Sequence, residues 1–142
     1  MLAQLPYDKP FLFVDTLEYV NESGAKGSYV FKEDLDFYRG HFKDKPITPG
    51  VILTECCAQI GVVSLGIFLA KTKNAANAQI ALSSSTMEYY LPVFPKEKVV
   101  VISEKQYFRF GKLKCLVKMY NDQGKVICSG TIAGMLKPVV HA

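Results

Sequence analysis

The chain is short of the side chains that most often announce a chemistry. In 142 residues it has two histidines, His41 and His141, and four cysteines, Cys56, Cys57, Cys115 and Cys128. Two cysteines are adjacent and two isolated, which fits neither a zinc site nor a disulfide framework. Reduced, buried thiols are therefore expected. An excess of one charge is also nearly absent. Seventeen basic against thirteen acidic residues leave a net +4, a faint pull toward an acidic partner and too scattered for a nucleic-acid surface. There is no repeat, low-complexity tract or linker, so residues 1–142 are predicted to form one domain, long enough to bury its own core. No cationic stretch followed by a short apolar run and a small-residue cleavage site opens the sequence. No signal peptide and a cytoplasmic location are expected. No nucleotide, flavin or metal motif is present.

What is there reads as strands around one helix. Strands are predicted at 11–19 and 25–32, joined by the turn Asn21-Glu22-Ser23-Gly24. Residues 33–49 read as an irregular connection carrying Phe37, Tyr38 and Phe42. Four further strands are predicted near 80–90, 99–110, 112–121 and 125–136, with hairpin signals at Phe110-Gly111-Lys112 and Asn121-Asp122-Gln123-Gly124. Lys114, Leu116, Lys118 and Tyr120 alternate with Cys115, Val117 and Met119, as in a sheet with one wet face.

From Val51 to Ala70 only Thr54, Glu55, Gln59 and Ser64 are polar, so this helix is apolar on almost every side. Such a helix is surrounded either by lipid or by protein. At 1.5 Å per residue its length of about 30 Å would cross a bilayer. Glu55 and Gln59 would then sit in hydrocarbon, so a helix enclosed by the sheet is the expected solution. Pro49-Gly50 marks its start, and Gly61 and Gly66 would let the sheet come close.

The segment leading into this helix is the most informative in the chain. It sets His41 on a proline-punctuated loop and Glu55 in the helix's second turn. A histidine and a carboxylate are the minimum equipment for moving a proton between atoms. Gly40-His41-Phe42, Pro46, Pro49-Gly50, Glu55 and Ala58-Gln59, with fourteen residues from His41 to Glu55, resemble the signature of the 3-hydroxyacyl-(acyl carrier protein) dehydratases of the FabZ type. Leu5-Pro6, Pro10-Phe11-Leu12, Val14-Asp15, Leu91-Pro92-Val93 and Pro95 extend the resemblance over essentially the whole chain. It implies an α+β hot-dog fold, an antiparallel sheet of about six strands wrapped around one long central helix. It further implies an obligate dimer with active sites across the interface, and sometimes trimers of dimers. The substrate would ride on the phosphopantetheine of acyl carrier protein, with no metal or other cofactor.

Elimination of water from a 3-hydroxyacyl thioester needs a base for the C2 proton and an acid for the C3 hydroxyl. His41 titrates near neutrality when unperturbed and suits the base. Burial on an apolar helix favours the protonated form of Glu55, the acid. Gln59, one turn on, can orient that carboxyl. The Gly50 N–H at the helix N-terminus can stabilise the thioester oxygen. Arg39, Lys43, Lys45, Lys96 and Lys98 are expected to flank the mouth of the site and to meet an acidic carrier protein. His141, in the C-terminal tail, is given no role.

The sequence departs from the family pattern at Tyr7, usually histidine; at Lys43-Asp44-Lys45, usually Pro-Gly-x; at Tyr90-Leu91, often two arginines; and at Cys56-Cys57, usually Ala-Met. These leave chain length and pathway open, so a specialised polyene or polyketide-like pathway is as compatible as fatty acid synthesis. Two alternatives stand beside the dehydratase: a hot-dog thioesterase that activates water with its carboxylate, and a non-catalytic acyl-binding subunit of a multi-enzyme complex.

Overall fold

The structure, a computed structural model, describes residues 1–42, 44–72 and 78–138. Six antiparallel strands, β1 (Thr16–Asn21), β2 (Gly24–Val30), β3 (Ala78–Tyr89), β4 (Lys98–Arg109), β5 (Lys112–Tyr120) and β6 (Val126–Pro138), form one sheet in the order β1-β2-β4-β5-β6-β3. Local chemistry sets the turns. The Asn21 side-chain oxygen accepts from the amides of Ser23 and Gly24 at 2.8 and 3.2 Å, and Asn121 does the same for Gln123 and Lys125 at 3.0 Å. Between β4 and β5, Phe110 and Gly111 take φ of 53° and 74°. Two successive left-handed residues match the twist of the strands they join. The alternation expected in β5 is observed: Leu113, Cys115, Val117 and Met119 are buried while Leu116 and Lys118 face outward.

The central helix, Gly50–Thr72, packs against the sheet, and 67% of its most apolar stretch is buried inside the fold. The glycines are what allow the close fit. A Cβ on Gly61 would lie 2.9 Å from Ser103 Cβ, and one on Gly66 only 2.5 Å from Ile80 Cγ1. The Ser103 hydroxyl stitches the layers together, donating to Gly61 O at 2.8 Å and accepting from the Ala25 amide at 3.1 Å. All four cysteines are free and buried, as expected.

Two expectations need correction. The helix is not uniformly α: Gln59–Val63 forms a π turn between α segments Gly50–Ala58 and Ser64–Thr72. Gly61 gives this turn a weak helix former, and the buried Ser64 hydroxyl donates back to Ile60 O, drawing that carbonyl out of the α pattern. The first strand begins at Thr16 rather than at Phe11. Segment 11–14 is held by a side chain instead of a neighbouring strand. Gln59 accepts the Phe13 amide at 2.8 Å and donates to Phe11 O at 2.9 Å. The other strand limits fall within two residues of the prediction.

Candidate active site

The loop that carries His41 is pinned at both ends. Tyr38, 4% exposed, shares a 2.6 Å hydrogen bond with the Thr48 hydroxyl, and the Thr48 amide donates to Val93 O at 2.9 Å. Between these anchors the His41 amide donates to Phe37 O at 3.1 Å and the Ile47 amide to His41 O at 2.9 Å. The half-buried imidazole places Nδ1 3.0 Å from the Ile47 carbonyl. A carbonyl can only accept, so Nδ1 carries the hydrogen, which in the neutral ring leaves the lone pair on Nε2. This is the tautomer a base requires.

His41 faces a cavity of about 380 Å³ that it shares with Ile47, Thr48, Gly50, Leu53 and the segment Tyr89–Pro92. Gly50 opens the helix behind Pro49, with no side-chain cap. Amides of a helix's first turn have no acceptor inside the helix, and they lie at its positive end. A proton acceptor and an anion-stabilising amide therefore line one cavity.

Glu55 stands elsewhere. Five residues beyond Gly50, it lies about 140° around the helix axis, and it does not line the His41 cavity. Its carboxylate accepts from Gln59 Nε2 at 3.0 Å. Gln59, fully buried, spends its remaining hydrogen bonds on Phe11 and Phe13, so the same amide orients the carboxyl and ties the N-terminal segment to the helix. Burial raises the Glu55 pKa above 4.5, and the Gln59 hydrogen bond opposes the rise. Tyr7 is close enough to feel this carboxylate: burial first, and then the Glu55 charge, push its phenol up to about 12. Within one chain the structure brings His41 together with Gly50, and Glu55 together with Gln59 and Tyr7. The cavity that His41 lines holds neither Glu55, Gln59 nor Tyr7.

The raised carboxyl has a measurable consequence for stability. Between 4.5 and its higher folded pKa the native state holds the proton that the unfolded state has lost, so stability falls as pH rises through that window. Glu55→Gln removes the ionisation and can keep accepting from Gln59. Its Tm is expected to exceed that of wild type at pH 7, with the gap closing as the pH drops below 4.5. Thermal melts at the two pH values check this.

Residues 5–132 match the FabA-like domain family. The chain belongs to that family. The FabA-like chain is 30% identical over 132 residues to the 3-hydroxyacyl-[acyl-carrier-protein] dehydratase FabZ of Clostridium perfringens, covering 90% of its own length and 89% of the relative's. It is 30% identical over 139 residues to FabZ of Sinorhizobium medicae, covering 96% and 86%. Among solved structures it superposes on a chain of the dehydratase heterocomplex ApeI:P from Xenorhabdus doucetiae with TM-score 0.78 at 12% identity, covering 94% and 88% of the two chains. A mutant thioesterase from Pseudomonas aeruginosa gives 0.67 at 10%, covering 87% and 81%. Identities this low show the hot-dog fold alone.

The expected docking residues of this FabA-like chain divide. Arg39 is exposed, ahead of the His41 loop, and pairs with Asp36 at 2.9 Å. Lys45 is exposed within that loop and exchanges backbone hydrogen bonds with Phe42. Lys96 instead pairs with Glu33 at 3.3 Å and lines a separate cleft with Lys32, Glu33 and Asp34. Lys98 is exposed at the start of β4. Lys43 and His141 lie outside the described residues. Neither Lys96 nor Lys98 lines the His41 cavity. Sequence reasoning missed Tyr89 and Thr54, whose hydroxyls meet 2.5 Å apart beside Gly50. It also gave Tyr7 no place beside Glu55. A tyrosine is a common strand residue, and no spacing rule singles these out.

Proposed function

We propose that this hot-dog protein is a 3-hydroxyacyl-(acyl carrier protein) dehydratase, a hydro-lyase that removes water from 3-hydroxyacyl thioesters to give trans-2-enoyl thioesters, and catalyses the reverse. The observation that carries the reading is the His41 imidazole, its Nδ1 engaged by the Ile47 carbonyl, lining one cavity with the uncapped Gly50 amide in a chain 30% identical to FabZ dehydratases. His41 Nε2 takes the C2 proton. Charge that develops on the thioester oxygen is met by the Gly50 N–H. The C3–O bond breaks as Glu55 delivers its proton, so hydroxide leaves as water, and Gln59 holds the carboxyl in aim. The reading assigns no resident metal or cofactor. The acyl group arrives on the phosphopantetheine arm of an acidic carrier protein, with Arg39 and Lys45 on and ahead of the His41 loop as docking residues and Lys96 and Lys98 farther from the cavity.

Because the cavity that His41 lines does not include Glu55 of the same chain, the reading takes a second copy, each site pairing one protomer's His41 with Glu55 of its partner. The β3 edge supports such a dimer. It is a 12-residue strand hydrogen-bonded on one side only, and it bears Ala81, Leu82, Ser83, Ser84, Ser85 and Thr86 exposed. An open, nearly uncharged edge of this length is a template for a second strand, and twofold pairing of β3 with itself would continue the sheet. The opposite edge, β1, has six residues and a register shift between Leu17 and Tyr19, which blunts it. We place residues 1–142 in one domain and, since its thiols are unpaired, in the reducing cytoplasm.

The test is hydration of a trans-2-enoyl thioester, followed by loss of its ultraviolet absorbance, with thiol release measured in the same tube. Absorbance loss without thiol release is expected. Thiol release would instead favour the alternative of a hot-dog thioesterase that activates water with its carboxylate, and a flat trace in both channels would favour a non-catalytic subunit.

A further inference from the structure

Tyr89 ends β3 and lies opposite Cys128 in the ladder with β6, which fixes its backbone. The residue is 49% exposed, yet its ring does not stand free. The phenol oxygen is 2.5 Å from the Thr54 hydroxyl, and ring atoms Cε1 and Cζ both lie 3.3 Å from the point a Cβ on Gly50 would occupy. Thr54 is one turn beyond Gly50 on the same helix face. The aromatic ring is thus laid along the first helical turn and tied at its tip. It walls the cavity that also holds His41.

We propose that Tyr89, anchored by Thr54, is a specificity-determining residue that restricts the enzyme to thioesters unbranched at C2. The inference rests on the dehydratase reading of this site. If the thioester oxygen meets the Gly50 N–H and the C2 proton meets His41, the C1–C2 bond lies between those two groups, in the cavity that Tyr89 walls. A hydrogen atom at C2 fits beside a fixed aromatic wall, whereas a methyl group must displace the ring and break its bond to Thr54. One methyl group confronted with a fixed wall is worth roughly 10- to 200-fold in kcat/KM.

The experiment compares kcat/KM for hydration of a straight-chain trans-2-enoyl thioester and its 2-methyl counterpart in wild type, Tyr89→Ala, Tyr89→Phe and Thr54→Val. Comparing the ratio between enzymes cancels the intrinsic effect of the methyl group on the reaction. The straight-to-branched ratio is expected to fall roughly tenfold or more in Tyr89→Ala through a gain on the branched substrate, and by a smaller factor in Thr54→Val and Tyr89→Phe, which free the ring tip without opening the wall. An unchanged ratio across the four enzymes overturns the inference, as does an equal loss on both substrates in Tyr89→Ala, the signature of a merely structural side chain. Should Tyr89→Ala fail to fold, the two tip variants still decide the matter. No turnover of the straight-chain substrate by wild type overturns the dehydratase reading itself, whereas turnover without discrimination overturns this inference alone.

Discussion

His41→Ala and Glu55→Gln are each expected to lower enoyl thioester hydration by about 10²- to 10⁴-fold, the usual contribution of one positioned general acid or base. The more telling result comes from mixing them. Co-expressed, the two inactive chains should recover activity, because a mixed dimer holds one site with both groups intact. Random pairing gives roughly a quarter of wild-type turnover if sites are shared across a twofold axis. The expectation follows from geometry within one chain: His41 shares its cavity with Gly50, while Glu55 lies about 140° around the helix beside Gln59 and Tyr7. No recovery, from mixed dimers whose formation is demonstrated by tagged pull-down, would place both groups in a single chain and require a large rearrangement of the His41 loop. Glu55→Gln should at the same time be no less stable than wild type at neutral pH, which separates lost chemistry from lost fold.

Gln59→Met is expected to be the most destabilising single change at the site. The shape is nearly conserved, but the thioether offers neither donor nor strong acceptor. The Phe13 amide and the Phe11 carbonyl would lose their partners at 2.8 and 2.9 Å, and an unsatisfied polar group in a buried setting costs about 1–3 kcal/mol. With two such groups the expected loss is about 2–6 kcal/mol, or a fall in Tm on the order of 10 °C. The N-terminal segment should detach from the helix, seen as faster proteolysis near residues 5–13. The Glu55 carboxyl would also lose the one hydrogen bond that holds its pKa down, so the alkaline limb of the dehydration rate should move to higher pH. A melt and a pH–rate profile together distinguish this dual role. A variant that shifts the limb without lowering Tm would confine Gln59 to orienting the carboxyl, and one that lowers Tm alone would make it a strut.

The sequence by itself determined the elements that depend on neighbours along the chain. The Asn21 and Asn121 turns, the Phe110-Gly111 hairpin, the alternation through β5 and the start of the helix at Pro49-Gly50 are local chemistry, and a period of two or a turn residue reports them directly. The all-round apolar helix also specified its own enclosure, since no other soluble arrangement removes that much surface from water. The pairing of Glu55 with Gln59 was legible because one helical turn brings such residues together. Tertiary structure alone decided the rest. Segment 11–14 has the composition of a strand, yet the side chain of Gln59, 46 residues away from Phe13, satisfies its backbone. The Ile47 carbonyl sets the His41 tautomer through the closure of a loop that no periodicity describes. Tyr89 reaches Thr54 across 35 residues. Whether His41 and Glu55 meet within one chain was likewise beyond the sequence, because spacing along a loop and a helix does not specify the face on which each side chain emerges. Contacts of this kind are made by surfaces that folding brings together, and one-dimensional pattern carries no record of them.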